Sequence, residues 1–241
     1  MQSSCLLRDA RRASFPAGIG TPLHETAAAP AVVPLIVPGW RDSGPGHWQT
    51  LWAERVPGAR RVVQEDWLRP RRQEWVDTLA RAVLQAPAPV LIVAHSLGCI
   101  TAVYLPPQAA ARVHAALLVA PADPERHSAL HDFAPVPCER LPYPSIVVGS
   151  SNDPYCPARR VSAYARAWGS EFVRLREAGH INIESGHGHW PLGLGLLEAL
   201  LATAPAWGLQ AAGEGWVPGE GRGARRGPAP ALPREGGRGA A

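Results

Sequence analysis

Ser96 ends the apolar run Val90-Leu91-Ile92-Val93-Ala94-His95 and has small residues two before it (Ala94) and two after it (Gly98). A helix-forming stretch, Cys99-Ile100-Thr101-Ala102-Val103-Tyr104, follows at once. Strand, sharp turn and helix in that order expose the hydroxyl at the tip, and small flanking residues are required because strand and helix nearly touch there. A serine hydroxyl is a poor nucleophile at neutral pH and needs a base to take its proton. Imidazole, titrating near ~6.5, can take that proton and return it to a leaving group. A carboxylate on the other ring nitrogen holds the tautomer and stabilises the imidazolium. Two later stretches supply these types: Ser150-Ser151-Asn152-Asp153-Pro154 and Ala178-Gly179-His180. Ser96, Asp153 and His180 are therefore the candidate catalytic set. Charge developing on an attacked carbonyl oxygen needs two donors aimed at it. The Leu97 N–H, at the start of the helix, is one candidate. The Trp40 N–H, in the turn Pro38-Gly39-Trp40, is the other, with Gly39 allowing close approach.

Rival readings use the same residues. Asp123 also follows a strand and could supply the acid; its other role would be to cap the loop after it. Cys99 could be a thiol nucleophile, but one helical turn past Ser96 it should be packed inside. His180, Glu184, His187 and His189 crowd one loop, yet their spacing fits no helical ligand motif and Gly186 and Gly188 break any helix. No metal site is expected, and no G-x-G-x-x-G or P-loop calls for a cofactor. Trp40 and Trp67, at strand ends, and His47 beside them are candidates for lining a substrate pocket. Trp48, Trp52 and Trp75 read as helix-packing residues.

The elements that must carry these groups alternate. Val32–Val37 is a strand closed by Pro38-Gly39. Trp48, Leu51, Trp52 and Val56 make one apolar helix face, Arg61–Val63 a weak strand, and Trp75 to Ala86 another helix ended by Pro87. The Ser96 strand and helix come next, then a strand at Ala115–Ala120, an irregular Pro- and His-containing stretch over 122–143, and a strand at Ser145–Val148. A helix over 157–168, a strand at Glu171–Leu175 and a helix at Leu192–Leu201 complete the order. Continuous apolar strands alternating with helices imply a mainly parallel sheet of about six strands with helices on both faces. Ligands bind outside the carboxyl ends of such strands, where all the candidate groups fall. The chain order Ser, Asp, His is that of α/β-hydrolases, so the expected fold class is a compact three-layer α/β-hydrolase.

Composition bounds the rest. The chain has 241 residues, and its Gly and Pro concentrate at the ends. Residues 207–241 lack apolar periodicity and read as a disordered tail, with 1–31 a less extreme case. The expected domain is 32–206. Of the net +4 charge, the two tails hold most, and every basic residue is arginine. The body has no sign bias, so no nucleic-acid partner is expected. Cys5, Cys99, Cys138 and Cys156 have neither zinc nor disulfide spacing, which fits a reducing, cytoplasmic setting. Arg11-Arg12 lacks the apolar run of a twin-arginine signal, and a mitochondrial presequence is the alternative use of the Arg-rich start. No run approaches the ~18 apolar residues of a membrane span.

The residues carry a resemblance. The chain resembles the small serine hydrolases of the retinoblastoma-binding protein 9 family, in its bacterial branch. The matching stretches are Pro38-Gly39-Trp40, Ser43-Gly44-Pro45, His47-Trp48-Gln49, Asp66-Trp67 with Pro70 and Trp75-Val76, Ala94–Gly98, Val119–Asp123, Ser151–Tyr155 and Ala178–Asn182. The resemblance spans about 34–202 and implies an α/β-hydrolase without a large lid and a triad at Ser96, Asp153 and His180. The animal branch has an L-x-C-x-E segment for pocket-protein binding; Leu84-Gln85-Ala86-Pro87-Ala88 lacks its Cys and Glu, so that partner is not implied. The leading expectation is hydrolysis of a small ester, thioester or amide through an acyl-enzyme. The alternative is a hydrolase-fold binding protein without turnover, which need not keep nucleophile, acid, base and oxyanion glycine together.

Overall fold

A computed structural model of the chain describes residues 32–202. The extension over 1–31, the tail over 207–241 and the last residues of the expected 32–206 domain lie outside the described residues. In chain order the elements are β1 (Val33–Val37), α1 (Trp48–Arg55), β2 (Arg60–Arg61), α2 (Arg72–Leu84), β3 (Val90–His95), α3 (Leu97–Val103), α4 (Pro107–Ala110), β4 (Val113–Val119), β5 (Ser145–Ser150), α5 (Ala158–Trp168), β6 (Glu171–Leu175) and α6 (Pro191–Ala202). The strands form one sheet in the order β2-β1-β3-β4-β5-β6. Every pairing is parallel, with Val37 opposite Ala94 and His95 opposite Val119. This is the α/β-hydrolase arrangement.

The apolar strands are buried because helices cover both faces. Leu91 and Val93 of β3 point to one face, against Trp48 and Trp52 of α1 and Leu197 of α6. Val90, Ile92 and Ala94 point to the other, against α2 (Trp75, Leu79), α3 (Ile100) and α5 (Val161, Trp168). The chain runs outward from β1 to β2, then returns to β3 and continues the other way. The strand order therefore reverses between β1 and β3, which opens a crevice at their carboxyl ends.

Three local features differ from expectation. β2 is only two residues long, shorter than the expected Arg61–Val63 run, and is an edge strand with exposed or half-buried residues. α2 begins three residues earlier than its apolar face, at Arg72, whose N–H donates to Asp132 Oδ2 at 2.6 Å. That cap is supplied from a distant loop and is invisible locally. α4, opened by Pro107 at its first position, was not expected. The irregular 122–143 stretch holds two 3-10 turns, Pro124–Arg126 and Ser128–Phe133, the second anchored by buried Leu130 and Phe133.

Candidate active site

Ser96 sits between β3 and α3 with φ 53 and ψ −121, a conformation few non-glycine residues adopt. Bonds on both sides hold it there. Its N–H donates to the Val119 carbonyl at 3.0 Å, and its own carbonyl accepts from Cys99 at 3.1 Å and Ala122 at 3.3 Å. Two glycines let the β1 turn press against this elbow. A Cβ on Gly39 would lie 2.7 Å from Ser96 Cβ, 2.9 Å from the His95 carbonyl and 3.2 Å from Leu97 N. A Cβ on Gly98 would strike the Val37 carbonyl oxygen and come within 2.6 Å of that of Pro38. The candidate oxyanion turn and the nucleophile elbow are thus in van der Waals contact, with Leu97 N beside Gly39.

Asp153 and His180 are bonded directly. His180 Nδ1–H donates to Asp153 Oδ1 and Oδ2 at 3.0 and 2.9 Å, and both side chains are buried. The proton on Nδ1 leaves Nε2 of the neutral ring as its lone-pair nitrogen. Asp153 Oδ1 also accepts from the Tyr155 N–H at 2.8 Å, and the Tyr155 ring leans on His180 at 4.4 Å between centroids. The loops carrying the pair are laced together. Ala178 N donates to Ser150 Oγ, Gly179 N to Asn152 Oδ1 and Glu177 N to Ser151 Oγ, at 2.8–2.9 Å. Neighbouring parallel strands β5 and β6 place both loops at the same sheet edge as Ser96.

His95, next to Ser96 in the chain, reaches this pair. Its Nε2–H donates to the His180 carbonyl at 2.9 Å, and the two rings stand 4.8 Å apart. Burial, then the charge of a protonated His180, hold the His95 imidazole well below its usual range. The residue before Ser96 is therefore a neutral donor that pins the backbone of the histidine. Nothing in the sequence reading singled it out. The available signal was a polar side chain in a strand buried on both faces, which must have a partner.

Of the candidate pocket residues, His47 stands against His95, and Trp40 follows Gly39 in the turn that meets Ser96. His47 is buried, and its ring stands 5.0 Å from that of His95. It caps α1 by accepting the Gln49 N–H on Nδ1 at 3.2 Å, so Nε2 holds the proton. Its pKa is lowered to about 4, first by burial and then by the charges of Arg61, His180 and His187. Trp40 is half-buried: its indole N–H donates to the Leu68 carbonyl at 3.0 Å, and its ring meets His127 at 4.5 Å and the Arg41 guanidinium at 4.3 Å. Trp67 packs edge-on against Trp75 at 5.6 Å. Trp48 reaches across to the His180 loop: its indole N–H donates to the Ile181 carbonyl at 2.9 Å. Ile181 itself has φ 52, a strained value for a β-branched residue, held by its fully buried side chain and that bond.

The rival groups are occupied elsewhere. Asp123 caps the first 3-10 turn through the Glu125 N–H at 3.3 Å and pairs with Arg160 at 3.4 Å. Cys99 is fully buried, its S–H directed at the Val119 carbonyl, and burial pushes its thiol well above the usual range. No group of three or more His, Cys, Asp or Glu among the described residues is placed to hold a metal ion. No helix there is long and apolar enough to cross a membrane.

Comparison with known proteins places this geometry. A YdeN-like hydrolase from Pectobacterium atrosepticum is 34% identical in sequence, with a TM-score of 0.66 over 71% of this chain and 91% of that one. The YdeN protein of Bacillus subtilis shares the fold at 19% identity and TM-score 0.59, over 71% of this chain and 99% of that one. Esterase 2 of Thermogutta terrifontis, in a form phosphorylated by paraoxon, shares it at 15% identity and TM-score 0.57, over 72% and 83%. No curated protein matches the sequence. Residues 34–199, which hold every group described above, match the serine hydrolase family, and the chain is a member of that family.

Proposed function

We propose that the protein hydrolyses a small ester, thioester or amide through an acyl-enzyme on Ser96, with His180 as base and Asp153 as its orienting acid. The observation that carries this reading is the buried Asp153–His180 pair, whose Nδ1 hydrogen bonds leave Nε2 unprotonated at the sheet edge where the strained Ser96 stands. His180 Nε2 takes the Ser96 proton as Oγ bonds to the substrate carbonyl carbon, and the C=O electron pair moves onto oxygen. The Leu97 and Trp40 N–H groups receive that oxyanion. Collapse re-forms C=O and expels the alkoxide, thiolate or amine, which leaves with the proton from Nε2. Water, deprotonated by the same nitrogen, then attacks the acyl-enzyme. The acid is released and Ser96 regains its hydrogen.

The exposed apolar side chains of Leu68, beside Trp40, and of Tyr155, against His180, support an uncharged substrate met at an open rim, with Trp67 and His47 as further pocket candidates. The motif stretches shared with the bacterial branch of the retinoblastoma-binding protein 9 family support placing the chain there. The free thiols of Cys99, Cys138 and Cys156 support a cytoplasmic setting. A fluorophosphonate probe tests the reading. The wild type should gain one adduct, located on Ser96. Labelling should vanish in Ser96→Ala, fall sharply in His180→Ala and persist in Cys99→Ala. Aryl-ester turnover should fall by up to ~10⁶ in Ser96→Ala and survive a chelator. Folded wild type without an adduct would sink the proposal in favour of a non-catalytic binding role.

A further inference from the structure

Gln49 has no place in the chemistry above, yet it is fully buried at the reversal point of the sheet. Its side-chain NH₂ makes two hydrogen bonds, to the Val37 carbonyl of β1 and the Val93 carbonyl of β3, each at 3.0 Å. Its Oε1 accepts from the Ser43 hydroxyl at 2.7 Å. Two carbonyls can only accept, so they must face the NH₂, and a hydroxyl then serves the oxygen. All the donors of this amide are used, and its orientation is determined by chemistry.

The two carbonyls it joins are significant. Val37 immediately precedes Pro38-Gly39-Trp40, the turn that presses on Ser96, and Val93 lies three residues before the nucleophile. The Val37 carbonyl is also the atom that a Cβ on Gly98, at the start of α3, would meet first. Gln49 is carried by the first turn of α1, whose cap (His47) and first residue (Trp48) contact His95 and the Ile181 carbonyl respectively. β1 and β3 are still paired here, with Val37 opposite Ala94, and Gln49 spans the last rung before the crevice opens. A side-chain amide bonded to a carbonyl from each strand sets the width of that opening.

We propose that Gln49 is a positioning residue for the reaction: its amide ties the ends of β1 and β3 and thereby sets the separation between the oxyanion-binding turn and the Ser96 elbow. This rests on the function proposed above. Misplacing a donor by about 1 Å can cost ~10²-fold in rate, whereas substrate binding in the ground state is little affected.

Two variants test it, with 4-nitrophenyl acetate as the substrate and well below each variant's melting temperature. Gln49→Met keeps the volume and removes both donors. Its kcat should fall ~10- to 100-fold with KM within about twofold, and the shape of the kcat–pH profile should not change. Ser43→Ala leaves both donors but frees the amide to rotate, so its kcat should fall less, in the same pattern. An amide that merely satisfies buried carbonyls would lower the melting temperature and leave kcat unchanged, which overturns the proposal. A rise in KM at constant kcat overturns it too. Should Gln49→Met not fold, an unaltered kcat in Ser43→Ala is sufficient to reject it. Ser96 labelling of the wild type separates the two claims. An unlabelled wild type overturns both, whereas a labelled wild type with unchanged variants overturns this one alone.

Discussion

Two carboxylates end adjacent strands, and their surroundings divide the work between them. Asp153 is bonded to the His180 ring, while Asp123 is held by Arg160 and a backbone N–H. Asp153→Asn should leave the near-ultraviolet circular dichroism intact and lower kcat by up to ~10⁴, because the ring loses its orienting partner. Asp123→Asn should cost far less activity; reversed sensitivities in one ester assay would move the acid to Asp123. A second residue-scale effect concerns His47, whose pKa drops from 6.5 in the unfolded chain to about 4 in the folded one. Between those values the unfolded chain binds a proton that the folded chain does not. The contribution to stability is therefore complete above pH 6.5 and is lost as the pH falls towards 4. Its size is on the order of 3 kcal/mol. His47→Asn keeps an acceptor for the α1 cap but cannot titrate. Its melting temperature should fall less steeply than that of the wild type between pH ~7 and ~4.5. Parallel slopes would show that His47 is not the group responsible.

At the scale of elements, the site depends on how closely β1, β3 and α3 approach one another. Gly98 is required there by contact with the Val37 and Pro38 carbonyls rather than by its own backbone angles. Gly98→Ala should push α3 or the oxyanion turn aside at a cost of about 1–3 kcal/mol, the usual range for overpacking. Calorimetry should read this as a fall of roughly 2–12 °C in melting temperature, accompanied by a loss of ester turnover. Gly44 is the control, since a Cβ there meets nothing within 4 Å. Equal tolerance at both positions would contradict the close approach. The start of α1 reaches three parts of the site, since His47, Trp48 and Gln49 touch β3, the His180 loop and β1.

For the whole molecule, two apolar layers clamp the sheet, and every candidate group stands at its carboxyl edge. The region aligned with the P. atrosepticum hydrolase is 71% of this chain but 91% of that one, so the body corresponds to nearly a whole relative. We expect residues 32–206 alone to remain soluble, with kcat unchanged and a melting temperature within a few degrees of the full chain. Calorimetry and ester turnover on the two chains check this. Aggregation or inactivity of the shorter one would place the domain boundary elsewhere.

The order of strands and helices apart from α4, the turn that carries Ser96 and the loops that carry Asp153 and His180 could all be read along the chain. Each depends on local pattern: apolar periodicity reports which face is buried, and small residues report where backbone must approach backbone. The tertiary structure alone decided the partners. Trp48 meets Ile181 across 133 residues, Gln49 meets Val93 across 44, and Arg72 is capped by Asp132 across 60. A buried amide or imidazole states in sequence only that it must be satisfied. Which carbonyl satisfies it depends on how strands are placed side by side, and that is settled only when the strand order reverses between β1 and β3. For this reason the turn at Ser96 and the loops that carry Asp153 and His180 to one sheet edge could be read from the sequence, while the hydrogen bonds of Gln49 and His95 to those strands and loops could not.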